Sequence, residues 1–266
     1  MNQENIDIFI PVRTASERLP CKNLLKINGE PSIKILVKRL MKAKRIRKII
    51  VCTTISHTDN DLVELLEKEN IEYFRGSEKD ILQRFYDAAK FFKSDVIIDV
   101  EGDKIYTEPY FIDKIVEDFQ KTKTDFVIGS DYNGIFDPGN HLVHGFIPAG
   151  IRFSALERIC RLKKTENTET GYKEFFTLSN LFNVNYIRFD TKTDLNDRVR
   201  LTIDYNSDYI LAKEIFKELG MNFNYKDVLR LFTKNPELIK MASESIKEWG
   251  KNYKKEITDF TLKEDL

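Results

Sequence analysis

The sequence predicts an α/β fold with a single doubly wound, mostly parallel sheet. Three observations predict it. Short continuous apolar runs recur at 6–11, 48–54 and 95–100, the pattern of strands buried on both faces. Between them lie stretches with apolar residues three and four apart, long enough for crossover helices. The first run opens into a turn-rich loop, and such loops sit outside the carboxyl ends of parallel strands, where ligands bind. The 266 residues could make one large domain or two small ones, and a 41% hydrophobic content supports one sizeable core. A single domain over 1–250 is expected, helical from about 225, with a charged, frayed tail at 251–266.

Taken in order, 6–11 is the first strand, and the loop after it carries Arg13, Arg18 and Lys22 with Glu17 as its acid. Forked guanidinium donors, a lysine point charge and loop amides suit a polyphosphate. A solvated basic loop is the alternative, common in a chain that is 32% charged. An amphipathic helix follows at 32–42. Residues 48–54 form the second strand and 59–69 a helix with Leu62, Val63, Leu65 and Leu66 inward. A short strand at 71–74 leads to Ser77 and Asp80, a capping box for a helix that buries Ile81, Leu82, Phe85, Ala88, Ala89 and Phe92.

The run 95–100 is the fourth strand and ends in Glu101-Gly102-Asp103. A carboxylate past a buried strand, beside a glycine that admits a ligand, suits a hard metal, and a turn aspartate is the alternative. Pro109 opens a helix. A strand at 126–129 precedes an irregular stretch to 148, in which His141 and His144 have spacing too weak to mark a metal site. Strands are expected at 150–154, 186–189 and 200–204, with helices at 155–162 and 172–182. Asp204 ends the last of these strands, and 206–208 cap the next helix. Two tail helices over 225–248, the second opening at Asn235-Pro236, hold Leu229, Leu231, Phe232, Leu238, Ile239, Met241 and Trp249, which either complete the core or meet another subunit.

Lys plus Arg and Asp plus Glu both number 43, so no bulk field calls for nucleic acid or an acidic membrane. Cys21, Cys52 and Cys160 are isolated, which indicates neither a disulfide framework nor a zinc site. No run approaches membrane-spanning length and no secretory signal opens the chain, so a soluble, cytoplasmic protein is expected.

Pro11, Arg13, Ser16, Arg18, Leu19, Pro20, Lys22, Gly29 and Pro31 resemble the signature of sugar-activating nucleotidyltransferases. The closest likeness is to cytidylyltransferases of the spore-coat polysaccharide type, relatives of CMP-Kdo and CMP-sialate synthetases. The resemblance implies a nucleotide-diphospho-sugar transferase fold with C-terminal helices, a loop that holds the triphosphate of CTP, and usually a homodimer. It implies nucleotide contacts from Pro11, Arg13, Ser16, Arg18 and Lys22, from Thr53, Thr54, Arg75 and Arg84, and catalytic roles for Arg13, Lys22 and Asp103. Asp103 and Asp204, the latter in a Leu-Thr-Ile-Asp segment, match the family's Mg²⁺ ligands.

Glu101 stands two before the metal aspartate, where the CMP-Kdo branch has a base-facing Gln. A carboxylate there would accept from the amino group of cytosine and repel uracil, GTP remaining a competitor. Pairing with Lys104 is the other reading. In the phosphate loop Cys21 stands where many members have Gly, and the acceptor side departs from the family too: Lys104-Ile105 replaces the usual proline region, and the helix at 172–182 lacks the usual histidine. Lys104, His144 and Arg152 are the acceptor-side candidates, which makes the acceptor anionic. A metal-dependent glycosyltransferase and an inactive scaffold of the same fold are the competing functions.

Overall fold

The computed structural model describes residues 4–129, 143–187, 193–195, 198–256 and 259–263. β1 (Ile6–Pro11) is buried along its whole length, and it pairs in parallel with β4 (Lys48–Thr54) on one side and β6 (Val96–Asp99) on the other. β5 (Tyr73–Gly76) extends the sheet beyond β4. Beyond β6 come β8 (Ala149–Arg152), antiparallel to both its neighbours, then β7 (Phe126–Gly129) and β9 (Val184–Ile187). The order β5-β4-β1-β6-β8-β7-β9 is that of a mostly parallel sheet, and a two-stranded ribbon of β2 (Lys26–Ile27) and β3 (Glu30–Pro31) lies outside it. The carboxyl ends of β1, β4 and β6 therefore share one edge.

Side chains of β1 alternate between two cores, as a period of two requires. Ile8 and Ile10 join one with Ile33 and Leu36 of α1 (Ser32–Leu40), Ile112 and Ile115 of α4 (Pro109–Lys121) and Phe216 of α7 (Asn206–Leu219). Phe9 joins the other with Phe85 and Ala88 of α3 (Ile81–Phe92) and Leu156 and Ile159 of α5 (Phe153–Leu162). Each such side chain contributes about 1.5–3 kcal/mol by leaving water. Gly150 shows how close α4 lies: a Cβ there would meet the Phe119 ring at 2.4 Å and Ile115 Cγ2 at 2.6 Å. α2 (Asn60–Lys68) completes the flanks.

Several boundaries differ from expectation. β5 starts two residues late. Asp80 is itself the N-cap of α3, accepting from Gln83 N. At α7 the N-cap is Tyr205, one residue before the expected 206–208, and Asp208 of that stretch closes the cap by accepting from Tyr205 N. The helix expected at 172–182 shortens to α6 (Glu174–Thr177). Residues 200–204 are extended without being a ladder strand, because Leu201 N donates to His144 O and Ile203 N to Asp103 O, across two different loops.

The tail holds three helices, α8 (Tyr225–Lys234), α9 (Pro236–Glu244) and α10 (Ile246–Glu256). Val228, Leu229, Phe232 and Ala242 are buried, and Leu231, Leu238, Ile239 and Met241 pack on the same core, so most of the tail's apolar surplus is absorbed within the chain. Fraying from 251 is not seen in the described residues: α10 runs on to Glu256, Phe260 lies edge-on to Phe175 at 5.4 Å, and Leu262 pairs with Lys163. Among the described residues no helix is long and apolar enough to cross a membrane.

Candidate active site

A cleft of about 760 Å³ opens at the carboxyl edge of the parallel strands. Its floor is the loop after β1. The Thr14 carbonyl accepts from both Ser16 N and Cys21 N, which ties the loop's two ends together. Cys21 takes the left-handed conformation (φ 53°, ψ 28°) that a glycine adopts without strain, and it launches a single 3₁₀ turn at Lys22–Leu24. Ser32 Oγ then donates to Lys22 O at 2.9 Å, fixing the lysine's backbone.

From there Lys22 Nζ reaches Asp103 Oδ2 at 2.8 Å and Asp204 Oδ1 at 2.7 Å. Three segments distant in sequence meet at this point. Gly102 makes it possible in a way the sequence did not suggest: a Cβ there would strike Val12 Cγ2 at 2.5 Å, so the glycine admits the β1 loop rather than a ligand. Asp204 is also held by Arg200, and Thr202 Oγ1 lies 3.3 Å away.

Burial alone would lower the Lys22 ammonium pKa, yet Asp103 and Asp204 raise it above the ordinary lysine value. Burial would raise Asp204, but Lys22 and Arg200 hold it well below the usual carboxylate range. For Asp103 burial prevails, reinforced by Asp204 and Glu101, and its pKa rises. Asp103 Oδ1 is buried with no hydrogen-bond partner. An orphaned carboxylate oxygen beside a second carboxylate fits Mg²⁺, which takes one or two carboxylates and completes its shell with phosphates and water. No cluster of three or more His, Cys, Asp or Glu suited to a metal exists among the described residues.

Pro11, Arg13, Ser16 and Arg18 all line the cleft. Arg13 pairs with Glu169 at 3.1 Å, and Arg84 reaches the same carboxylate at 2.8 Å. Arg84 is buried and also bonds the carbonyls of Ser77 and Glu78, so it braces the wall from within. Arg18 lies over the Tyr205 ring, 3.5 Å from Glu256 and 3.9 Å from Asp204.

Three expected nucleotide contacts are not in the wall. Thr53 and Thr54 are buried and give their hydroxyls to Asp59, at 2.8 and 2.5 Å. Arg75 bonds the carbonyls of Thr54 and Ser56. β4 ends in a knot of hydrogen bonds behind the cleft, which is why these polar groups do not face it.

On the opposite wall Glu101 Oε1 receives Lys104 at 3.1 Å and also Lys173. The lysine pairing, not an open carboxylate awaiting a base, is what the structure shows. Lys173 also reaches Asp99 Oδ2 at 3.1 Å, which accepts from Tyr172 Oη at 2.5 Å. Burial lowers the pKa of Lys104, and the nearby acids do not restore it. His144 lines the cleft with its ring 5.8 Å from Trp249. Arg152 is elsewhere: it opposes Val96 at the other end of β6 and bonds Glu4, Thr124 O and Phe119 O, because β8 runs antiparallel and carries its last residue away from the cleft. His141 lies outside the described residues. Sequence reasoning missed Glu169, Lys173, Arg200, Trp249 and Tyr253, all cleft residues. Only the turn-forming run Glu169-Thr-Gly-Tyr-Lys173 gave a signal.

A family model for cytidylyltransferases matches residues 8–191. An uncharacterized protein of Methanocaldococcus jannaschii is 34% identical over 232 residues, covering 86% of this chain and 91% of the relative. The spore coat polysaccharide biosynthesis protein SpsF of Bacillus subtilis is 25% identical over 244 residues, covering 88% and 96%. The solved structure of a cytidylyltransferase from Leptospira borgpetersenii superposes with a TM-score of 0.77 at 26% identity, over 89% of this chain and 97% of that one.

Proposed function

The chain belongs to the cytidylyltransferase family, and on that premise we propose that it joins CTP to a sugar acid or a phosphorylated sugar or polyol, releasing pyrophosphate. The convergence of Lys22, Asp103 and Asp204 beneath the cationic loop carries this reading. The name of the Bacillus relative supports a product used in surface polysaccharide synthesis.

In this mechanism an acceptor oxygen attacks the α-phosphorus of CTP in line, forming the new P–O bond as the bond to the β-phosphate oxygen breaks. The acceptor proton is lost to solvent or to a base on the acceptor itself, and no enzyme nucleophile is needed. Arg13 and Arg18 hold the phosphates, exchanging contacts with Glu169 and Glu256 for contacts with the nucleotide. Lys22 turns its ammonium toward the charge developing on the leaving pyrophosphate. Asp103 and Asp204 would hold Mg²⁺, which supplies Lewis-acid charge neutralisation when bound. Lys104 and His144 line the acceptor side, with Lys173 behind Glu101. The protein acts as a homodimer in this proposal, and sedimentation would check that.

The deciding experiment is pyrophosphate release from CTP with a panel of sugar acids, sugar phosphates and polyol phosphates, with and without Mg²⁺. Release that requires both CTP and an acceptor is expected. Transfer of a sugar from a nucleotide sugar instead would overturn the reading in favour of a glycosyltransferase, and no turnover with any acceptor would favour the scaffold.

A further inference from the structure

Asp59 stands outside the cleft and takes no part in the mechanism above, yet it is the most heavily hydrogen-bonded carboxylate near the cationic loop. It is fully buried, one residue before α2. Its Oδ1 accepts from Thr14 N and Thr14 Oγ1, both at 2.7 Å. Its Oδ2 accepts from Thr53 Oγ1 at 2.8 Å, Thr54 Oγ1 at 2.5 Å and Thr54 N at 3.1 Å. All five donors are neutral. A carboxylate buried against neutral donors is costly unless each lone pair is met, and five donors meet them here. Burial would raise its pKa, but the bonds from Thr54 and Thr14 hold it below the ordinary aspartate value, so it stays an acceptor at neutral pH.

Thr14 is the hinge of the argument. Its amide goes to Asp59, its hydroxyl proton is shared between Asp59 Oδ1 and Thr58 O, 2.6 Å away, and its carbonyl accepts from Ser16 N at 2.8 Å and Cys21 N at 3.1 Å. Every polar group of Thr14 is thus used, either to close the loop on itself or to moor the closed loop to the end of β4. Arg13 precedes this residue, Arg18 lies inside the closed loop, and Lys22 follows it.

We infer that Asp59 is the positioning residue of the cationic loop, acting through Thr14 to hold Arg13, Arg18 and Lys22 in register for a nucleoside triphosphate. The inference rests on the loop's being the triphosphate site, as proposed above. A loop moored this way does not have to be ordered by its ligand, so affinity is not lost to ordering.

The test uses three variants and two readouts. Cys21 is the exposed thiol of the loop, Cys52 is buried with its pKa pushed up by burial, and Cys160 is pushed up to about 12 by burial. A disulfide reagent such as dithiobis(nitrobenzoate) at neutral pH therefore reports on the loop without any activity. Asp59→Asn and Thr14→Val should each change the rate of Cys21 modification about fivefold, because the reactivity of an exposed thiol follows the conformation of the loop that carries it. CTP binding by equilibrium dialysis should weaken about tenfold, as expected for misplaced binding groups. Thr14→Ser, which keeps the hydroxyl, should match wild type in both. If Asp59→Asn does not fold, the Thr14 pair decides. Folded Asp59→Asn and Thr14→Val proteins with wild-type thiol rates and wild-type CTP affinity would overturn the proposal. A changed thiol rate in these variants of a protein whose wild type binds no CTP would support Asp59 as the mooring and remove the CTP reading alone.

Discussion

Asp103 is in conflict with its surroundings. It is buried and faces Asp204 and Glu101, and Lys22, the cation bonded to it, does not offset burial and those acids, so its folded-state pKa lies above the ordinary aspartate value. A carboxylate whose pKa is raised by folding disfavours the folded state once ionised, and the penalty grows as pH rises from the unfolded value through the folded one. Asp103→Asn should therefore melt no lower than wild type at pH 7 in the absence of nucleotide and metal, with any gain vanishing below about pH 4. The same change should cut pyrophosphate release by about two to three orders of magnitude. Thermal melts at both pH values, read beside turnover, check this; an Asn variant that melted lower at pH 7 would mean that Asp103 stabilises the fold. At Cys21 the sign is simpler. Its φ of 53° strains a side chain, so Cys21→Gly should raise urea stability by about 1 kcal/mol or less, the left-handed penalty offset by glycine's greater unfolded-state freedom. Urea denaturation reads this directly.

Elements decide which charges meet, and this is where sequence legibility divides. Lys22, Asp103 and Asp204 were legible because each lies in a segment that resembles a family motif, where the bare pattern left a solvated loop, a turn or a cap open. Lys173 was not, because a lysine in a polar turn reads the same whether it faces water or a buried acid. α6 is only four residues long, and the turn before it carries Lys173 under Asp99 at the end of β6. Arg152 failed for the opposite reason: it was read as an acceptor-side candidate, but β8 is antiparallel and carries its last residue away from the cleft. Thr53 and Thr54 were placed at the right strand end, but nothing in the sequence showed that Asp59 would claim their hydroxyls. Lys173→Met should cost about 3 kcal/mol in urea denaturation, since it strips a partner from two acids at once. Adding Glu101→Gln should recover part of that loss. A double variant no more stable than the single one would show that Asp99 alone sets the cost.

Across the whole molecule, zero formal charge conceals a local excess. The described lining of the cleft holds nine cationic side chains against seven carboxylates, and the excess suits a magnesium-bound triphosphate. The far wall is α10, which has no buried residue and is joined to the body largely through polar and ring contacts. Trp249 lies over the Arg200 guanidinium, 4.8 Å from ring centroid to Cζ, and Arg200 holds Asp204. Asn252 Nδ2 donates to Tyr205 Oη at 2.8 Å, Tyr253 Oη to Glu174, and Glu256 faces Arg18. Trp249 is the one tryptophan in the sequence, so its emission reports on this wall alone. A triphosphate that draws Arg18 from Glu256 and alters the charge at Asp204 must change the field and packing around that indole. Titration with CTP and Mg²⁺ should change its fluorescence by about a tenth or more, with a midpoint equal to the dissociation constant from dialysis. Arg18→Gln should shift the midpoint to higher CTP, because it removes a phosphate contact, and should itself alter the free protein's emission, because it takes from Glu256 and Asp204 the partner that a triphosphate would draw away. CTP binding seen by dialysis with no change in emission would mean that α10 stands apart from the nucleotide and serves only the fold.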